Sequence, residues 1–133
     1  MFASQLIKVT ISRPYAQVYE FLADPLNFAR WASMPGSDVE PLGGHDWLVE
    51  VPRGQMVIRF SPRNNYGVLD YQTFPQGQNG GPVTPVRLYP NDGGAELVFT
   101  WFQRAGVTEA QFKSDAEWIA SDLERLKTLI ESL

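Results

Sequence analysis

Between Thr108 and Leu133, Phe112, Ala116, Ile119, Leu123, Leu126, Ile130 and Leu133 recur at alternating steps of four and three. That spacing follows the turn of an α-helix, so the seven side chains form one apolar stripe on a long helix. Burying most of the stripe contributes on the order of 10 kcal/mol gross, at about 1.5 to 3 kcal/mol for each larger side chain. Ordering the helix costs a comparable amount, so it forms only against a partner surface. Local signals support its limits. Thr108 and Gln111 have capping-box spacing, Glu109 and Lys113 sit one turn apart, and Arg125 and Lys127 fall late, where they suit the helix dipole.

The rest of the chain supplies that surface as strands. From Gln5 to Ser12, Ile7, Val9 and Ile11 alternate with Lys8, Thr10 and Ser12, which predicts a strand wet on one face. Ser12 is placed to cap a short helix that takes Pro14 in its first turn and aligns Tyr15, Val18 and Leu22. Asp24 and Pro25 end it and start a second, which carries Leu26, Phe28 and Trp31 until Met34-Pro35-Gly36. Six further strands are predicted at Asp38–Leu42, Asp46–Val51, Gln55–Ser61, Gly67–Phe74, Val83–Tyr89 and Ala95–Gln103. Gly43-Gly44, Pro52-Arg53-Gly54, Asn64-Asn65, Asn79-Gly80 and Asp92-Gly93 supply the turns, so the strands form an antiparallel meander.

Three strand faces point inward on this reading: Trp47, Val49 and Val51; Met56, Ile58 and Phe60; Leu97, Phe99 and Trp101. Arg87 and Tyr89 alternate with Val86 and Leu88, and their facing stays open. The Gly- and Gln-rich stretch from Gln76 to Pro82 reads as a mobile rim loop. The fold class is α+β, with a curved antiparallel sheet of about seven strands gripping a long C-terminal helix. A chain of 133 residues fits one domain, 1–133.

Composition excludes several functions. The net charge of −4 and the absence of any Lys/Arg run argue against nucleic-acid binding and against attraction to anionic membranes. No apolar run is long enough for stable membrane insertion, and Met1 to Thr10 lacks the pattern of a signal peptide, so a cytoplasmic protein is expected. There is no cysteine, which removes disulfides, thiolate metal sites and cysteine nucleophiles.

Candidate chemistry is sparse. His45 is the only histidine and no carboxylate cluster has coordinating spacing, so neither a metal nor another cofactor is expected. Beside Gly44 and Asp46, His45 reads more readily as a turn residue than as a base, although its parity with Trp47 would aim it at a cavity mouth. No Gly-x-Ser-x-Gly elbow presents a serine, and Gly77-Gln78-Asn79-Gly80-Gly81 lacks the spacing and lysine of a phosphate loop. Asp70 and Tyr71 are strand neighbours that face opposite ways, so the expectation is a buried tyrosine and a solvated aspartate.

Trp31, Trp47, Trp101 and Trp118 read first as core residues, yet bulky inward side chains with few charges also suit an apolar ligand. Predicted liners of such a cavity are Trp31, Trp47, Met56, Ile58 and Tyr71, with Leu88, Phe99, Trp101 and Phe112. Val98 and Phe102 share the opposite face of the last strand, where exposure would leave an apolar strip for a homodimer. The front half of the last helix, near Phe112 and Trp118, is where a cavity is expected to open.

Two segments carry a resemblance to a known family. Ile11-Ser12-Arg13-Pro14-Tyr15-Ala16-Gln17-Val18-Tyr19-Glu20-Phe21-Leu22-Ala23-Asp24-Pro25-Leu26-Asn27-Phe28-Ala29-Arg30-Trp31 resembles the opening of the polyketide cyclase/dehydrase-like group of the START (SRPBCC) superfamily, and Asp122-Leu123-Glu124-Arg125-Leu126-Lys127-Thr128-Leu129-Ile130-Glu131 resembles its closing helix. The resemblance implies a helix-grip domain with a hydrophobic cavity for lipids, polyketides or other apolar molecules. It brings no shared catalytic motif. An aromatase/cyclase-like enzyme, with Tyr71 and either His45 or Arg87 polarising an enolisable substrate, and an interaction module like the co-chaperone members are the alternatives it implies.

Overall fold

Eight strands are present among the residues that the computed structural model describes, 1–32, 39–51 and 54–133. The order is β1 (Ser4–Ile11), α1 (Tyr15–Ala23), a 3₁₀ turn (Pro25–Asn27), α2 (Phe28–Trp31), then β2 (Val39–Gly43), β3 (Asp46–Val51) and β4 (Gly54–Phe60). After these come β5 (Tyr71–Pro75), β6 (Val83–Thr84), β7 (Val86–Asn91), β8 (Gly94–Phe102) and α3 (Glu109–Glu131). The expected break at Met34-Pro35-Gly36, the start of a strand at Asp38 and the turn residues Pro52 and Arg53 lie outside the described residues.

All strand pairings are antiparallel, in two sheets of order β1-β8-β7 and β2-β3-β4-β5-β6. This is the α+β helix-grip arrangement. The eighth strand arises because Pro85 splits the stretch expected as one strand from Val83 to Tyr89. Proline has no N–H for the ladder. The chain bends there, so that β6 pairs with β5 while β7 pairs with β8.

The partner segment bends at the same level. Residues 67–70 run beside β7, with Leu69 N–H to Val86 O at 2.9 Å and Leu88 N–H to Gly67 O at 2.9 Å, before β5 begins at Tyr71. Asp70 bridges the bend: its carboxylate accepts from the Val86 N–H at 2.8 Å and from Arg87 at 2.9 Å. The aspartate expected in solvent thus replaces ladder bonds that the bend removes. Asn64 organises the approach, accepting from the N–H groups of Tyr66 (2.9 Å) and Val68 (3.1 Å) and donating to the carbonyls of Pro62 and Val68.

Helix α1 begins without the expected Ser12 cap; Pro14 precedes it and no side chain caps it. The Ser12 N–H donates instead to the Glu131 carboxylate at 2.7 Å, at the far end of α3. Lys127 joins the same carboxylate at 2.7 Å and also donates to Thr10 O, while Arg13 donates to the Glu131 carbonyl. Lys127 and then the Ser12 N–H hold the Glu131 carboxyl below the usual carboxylate range. Lys127 therefore clamps α3 to β1 and does not serve as a dipole counter-charge in the last turn. At the other end, Thr108 accepts from Gln111 N–H at 3.1 Å as expected, but the Gln111 side chain donates to Asp115, so the capping box is half made. Asp24 caps the 3₁₀ turn through Leu26 N–H at 3.0 Å.

The main core lies between the β1-β8-β7 sheet, α1 and α3. Ile11, Val18, Leu97, Leu126 and Ile130 are fully buried there, with Leu88 and Leu123 nearly so. From the stripe, Phe112, Ala116, Leu123, Leu126 and Ile130 are buried and Ile119 is half-buried. Leu133 is exposed, as is Trp118, which lies off the stripe.

A second cluster, Leu48, Val57 and Phe74, forms on the opposite face of the five-stranded sheet. These three are direct cross-strand partners, and the Arg59 guanidinium covers Phe74 at 5.0 Å. The rim loop of residues 76–82 returns to this face, where Asn79 accepts from Arg59 and the Gly81 N–H donates to Gln72. No helix of the described residues is long and apolar enough to cross a membrane.

Candidate functional site

Helix α3 packs mainly on β1, leaving the inner face of β4 and β5 only partly covered by its middle turns. The space between is walled by aromatic rings. Phe28 meets Trp31 at 5.4 Å, Phe60 at 5.5 Å and Tyr71 at 6.2 Å, and Tyr71 meets Phe99 at 6.4 Å, all edge to face. Local sequence places each wall. Asp24 and Pro25 start the turn that delivers Phe28 and Trp31; strand alternation brings Ile58, Phe60 and Tyr71 to one face; and Arg125 donates to the Trp31 carbonyl at 3.2 Å, tying α2 to α3.

Among the described residues, hollows of several sizes surround this cluster. A small one of about 40 Å³ lies among Leu22, Phe28, Phe60, Leu69 and Phe99. A second, of about 170 Å³, lies under α3 between Trp31, Ile58, Thr73, Phe99, Ile119 and Asp122. A third, of about 300 Å³, fills the seam where β6 parts from β8, bounded by Thr84, Thr100, Trp101, Phe102 and Arg104. The fourth, of about 320 Å³, is an open groove with His45, Arg59, Ser61, Asp70 and Gln72. Tyr71 borders all of these.

Tyr71 is half-buried among the hollows, with its phenol set in an apolar surround. Burial pushes its pKa from 10.0 up to about 12; a hydrogen bond with the Thr84 side chain opposes the rise and the Asp122 charge adds to it. The phenol is therefore a neutral hydrogen-bonding tip in an apolar wall, with Asp122 as the charged group that borders the same hollow. Asp122 is itself 3.4 Å from Arg125.

Of the nine residues expected to line a cavity, five border the inner hollows. Trp31 and Phe99 border the two smaller ones, Ile58 the one under α3, Trp101 the seam, and Tyr71 every one. Trp47 and Met56 are half-buried on the same sheet face as Ile58 but border none of the hollows. Leu88 and Phe112 are buried and likewise border none. The opening under α3 falls at Ile119 and Asp122, about two to three turns beyond Phe112.

Asp122, Thr73, Thr84 and Arg104 were not singled out from sequence as site residues. For Asp122 a signal existed, because it lies three residues after Ile119 and beside Leu123, on the margin of the stripe. Arg87 faces away from the core and pairs with Asp70, and His45 is an exposed turn residue beside the outer groove. Neither reaches the hollow under α3. Among the described residues no three His, Asp or Glu side chains gather as metal ligands.

No family model matches the chain, and no curated protein matches it. Solved structures do. An uncharacterised protein from Bacillus thuringiensis is similar with a TM-score of 0.73 at 14% identity, over 96% of this chain and 98% of that one. The Aha1 dimer from Colwellia psychrerythraea, solved in solution, gives 0.73 at 14% identity over 97% and 96%. DynU16, a protein of the dynemicin biosynthetic locus, gives 0.68 at 16% identity, and the chain spans 47% of its length. At such identities what is shared is the fold.

Proposed function

We propose that this chain is a single cytoplasmic START/SRPBCC-type domain that binds an apolar or amphipathic small molecule, lipid- or polyketide-like, between its sheet and α3. The observation that carries the reading is the hollow under α3. Its walls are Phe28, Trp31, Ile58 and Phe99, and its polar tips are Tyr71 and Asp122. Apolar walls with a few fixed polar groups are what a site needs to bind by burial and still orient its ligand. The neighbour from a biosynthetic locus is compatible with a polyketide-like ligand. The cyclase-like alternative is weaker, because neither His45 nor Arg87 joins Tyr71 at this hollow: Arg87 pairs with Asp70 and His45 stands at the outer groove.

Fluorescence titration with Nile red, a neutral apolar probe, tests the binding. Wild-type protein should enhance its emission saturably, and Ile119→Trp, which fills the hollow, should weaken binding by about tenfold or more. Absence of wild-type binding, or unchanged binding by Ile119→Trp, would sink the reading.

A homodimer across the outer face of β1-β8-β7 is the second proposal. There Leu6 is 68% exposed, beside the half-buried Val98, and a solution dimer occurs among the fold neighbours. A monomer mass on sizing at micromolar concentration would reject it.

A further inference from the structure

The seam hollow differs in chemistry from the one under α3. It exists because β6 leaves β8 at Pro85. The last rung between them is Thr100 N–H to Pro85 O at 3.0 Å, and beyond it the Arg104 side chain spans the gap to Val83 O at 2.7 Å. The guanidinium is fixed further by two rings, Phe102 at 5.1 Å and Phe2 at 5.7 Å. A guanidinium has five N–H donors, so this bond to Val83 leaves donors over. No Asp or Glu lines the hollow, and among the described residues no carboxylate pairs with Arg104. Arg104 is thus a held, half-exposed cation that borders a hollow of about 300 Å³.

The surroundings fit one class of ligand. Thr84, Thr100, Trp101 and Tyr71 border the same hollow as Arg104. Tyr71 and Thr73 border both this hollow and the one under α3, so the two adjoin at these residues.

We infer that the ligand is an amphipathic carboxylic acid, its carboxylate held by Arg104 in the seam and its apolar body lying past Tyr71 under α3. The planar fork of arginine suits a carboxylate better than a rounder anion. This inference rests on the binding function proposed above.

Calorimetric titration with decanoate, decanol and decylamine, each below its aggregation limit, separates the two. Decanoate should bind about tenfold or more tighter than decanol, as expected of a charge-assisted hydrogen bond, and decylamine weakest. Arg104→Gln should bring decanoate to within about twofold of decanol, and Arg104→Lys should restore part of the preference. Binding of Nile red and decanol without preference for the acid, or a preference that survives Arg104→Gln, overturns the carboxylate inference alone. Failure of every probe overturns the binding function and the inference together. If Arg104→Gln does not fold, the Arg104 Nε–H resonance of the wild-type protein decides: it should shift with decanoate and not with decanol, and an unmoved resonance overturns the inference.

Discussion

Replacing Gly67 by alanine should cost about 3 kcal/mol or more, read as a fall in the urea midpoint, or should prevent folding. Gly67 has φ +69°, and a Cβ there would stand 2.1 Å from the Leu88 carbonyl oxygen and 2.9 Å from Tyr15 Oη. The backbone cannot retreat cheaply, because Leu88 N–H donates to Gly67 O at 2.9 Å and Leu69 N–H to Val86 O at the same distance. These bonds hold the bent segment against β7, so relieving the clash means breaking the bend that forms the seam. Gly93→Ala is the matched control. A Cβ added at Gly93 would meet nothing within 4 Å and its φ is not positive, so the effect should stay within about 0.5 kcal/mol. Equal effects at the two sites would show that the close approach at Gly67 is not a feature of the folded protein.

Leu126→Ala should destabilise by about 2 to 5 kcal/mol, the range for deleting a buried leucine side chain. Leu126 is 0% exposed on the face of α3 that meets the core, and its neighbours Leu123 and Ile130 are almost as enclosed. A cavity left there is walled by β1 and β8, whose ladder resists collapse. Trp118→Ala removes more atoms, yet Trp118 is 65% exposed and should change stability by no more than about 0.5 kcal/mol. Thermal or denaturant unfolding of the two variants therefore reports the rotation of α3. A larger loss at Trp118 than at Leu126 would mean that the helix presents another face.

The stripe on α3 was legible because helical spacing is a property of sequence alone, and burial followed it at five of seven positions. The turn at Asp24-Pro25 and the cap at Thr108 were legible for a similar reason: both depend on groups within three residues of one another. What sequence did not reveal depends on distant partners. Pro85 sits inside a run that otherwise reads as one strand, and the bend is completed by Asp70, from a separate segment of the chain. Ser12 has the chemistry of a cap, but its N–H meets Glu131 only once the last helix has docked. Leu48, Val57 and Phe74 sit on the face opposite the one read as inward, and only the pairing of three strands brings them together.

The candidate site divides along the same line. Large inward aromatics were visible by parity, so Trp31, Tyr71, Phe99 and Trp101 were named from sequence. Which of the nine border empty space was not visible, because a hollow is a mismatch between packed elements. Trp47 and Leu88 have the same inward parity as Ile58 and Phe99 and border none of it. Arg104 follows the last strand in an unpatterned stretch, and its role at the seam depends on where β6 goes.

The bend at Pro85 has a consequence for how this protein can change. The space in the seam is made by the path of the main chain, whereas a pocket made by shortening core side chains costs stability for the contacts it removes. Replacements at Thr84, Thr100 or Trp101 alter its shape and polarity without removing a rung from either ladder. The shape of the seam and the hydrogen bonding of the sheets thereby rest on different groups, side chains for the one and main chain for the other.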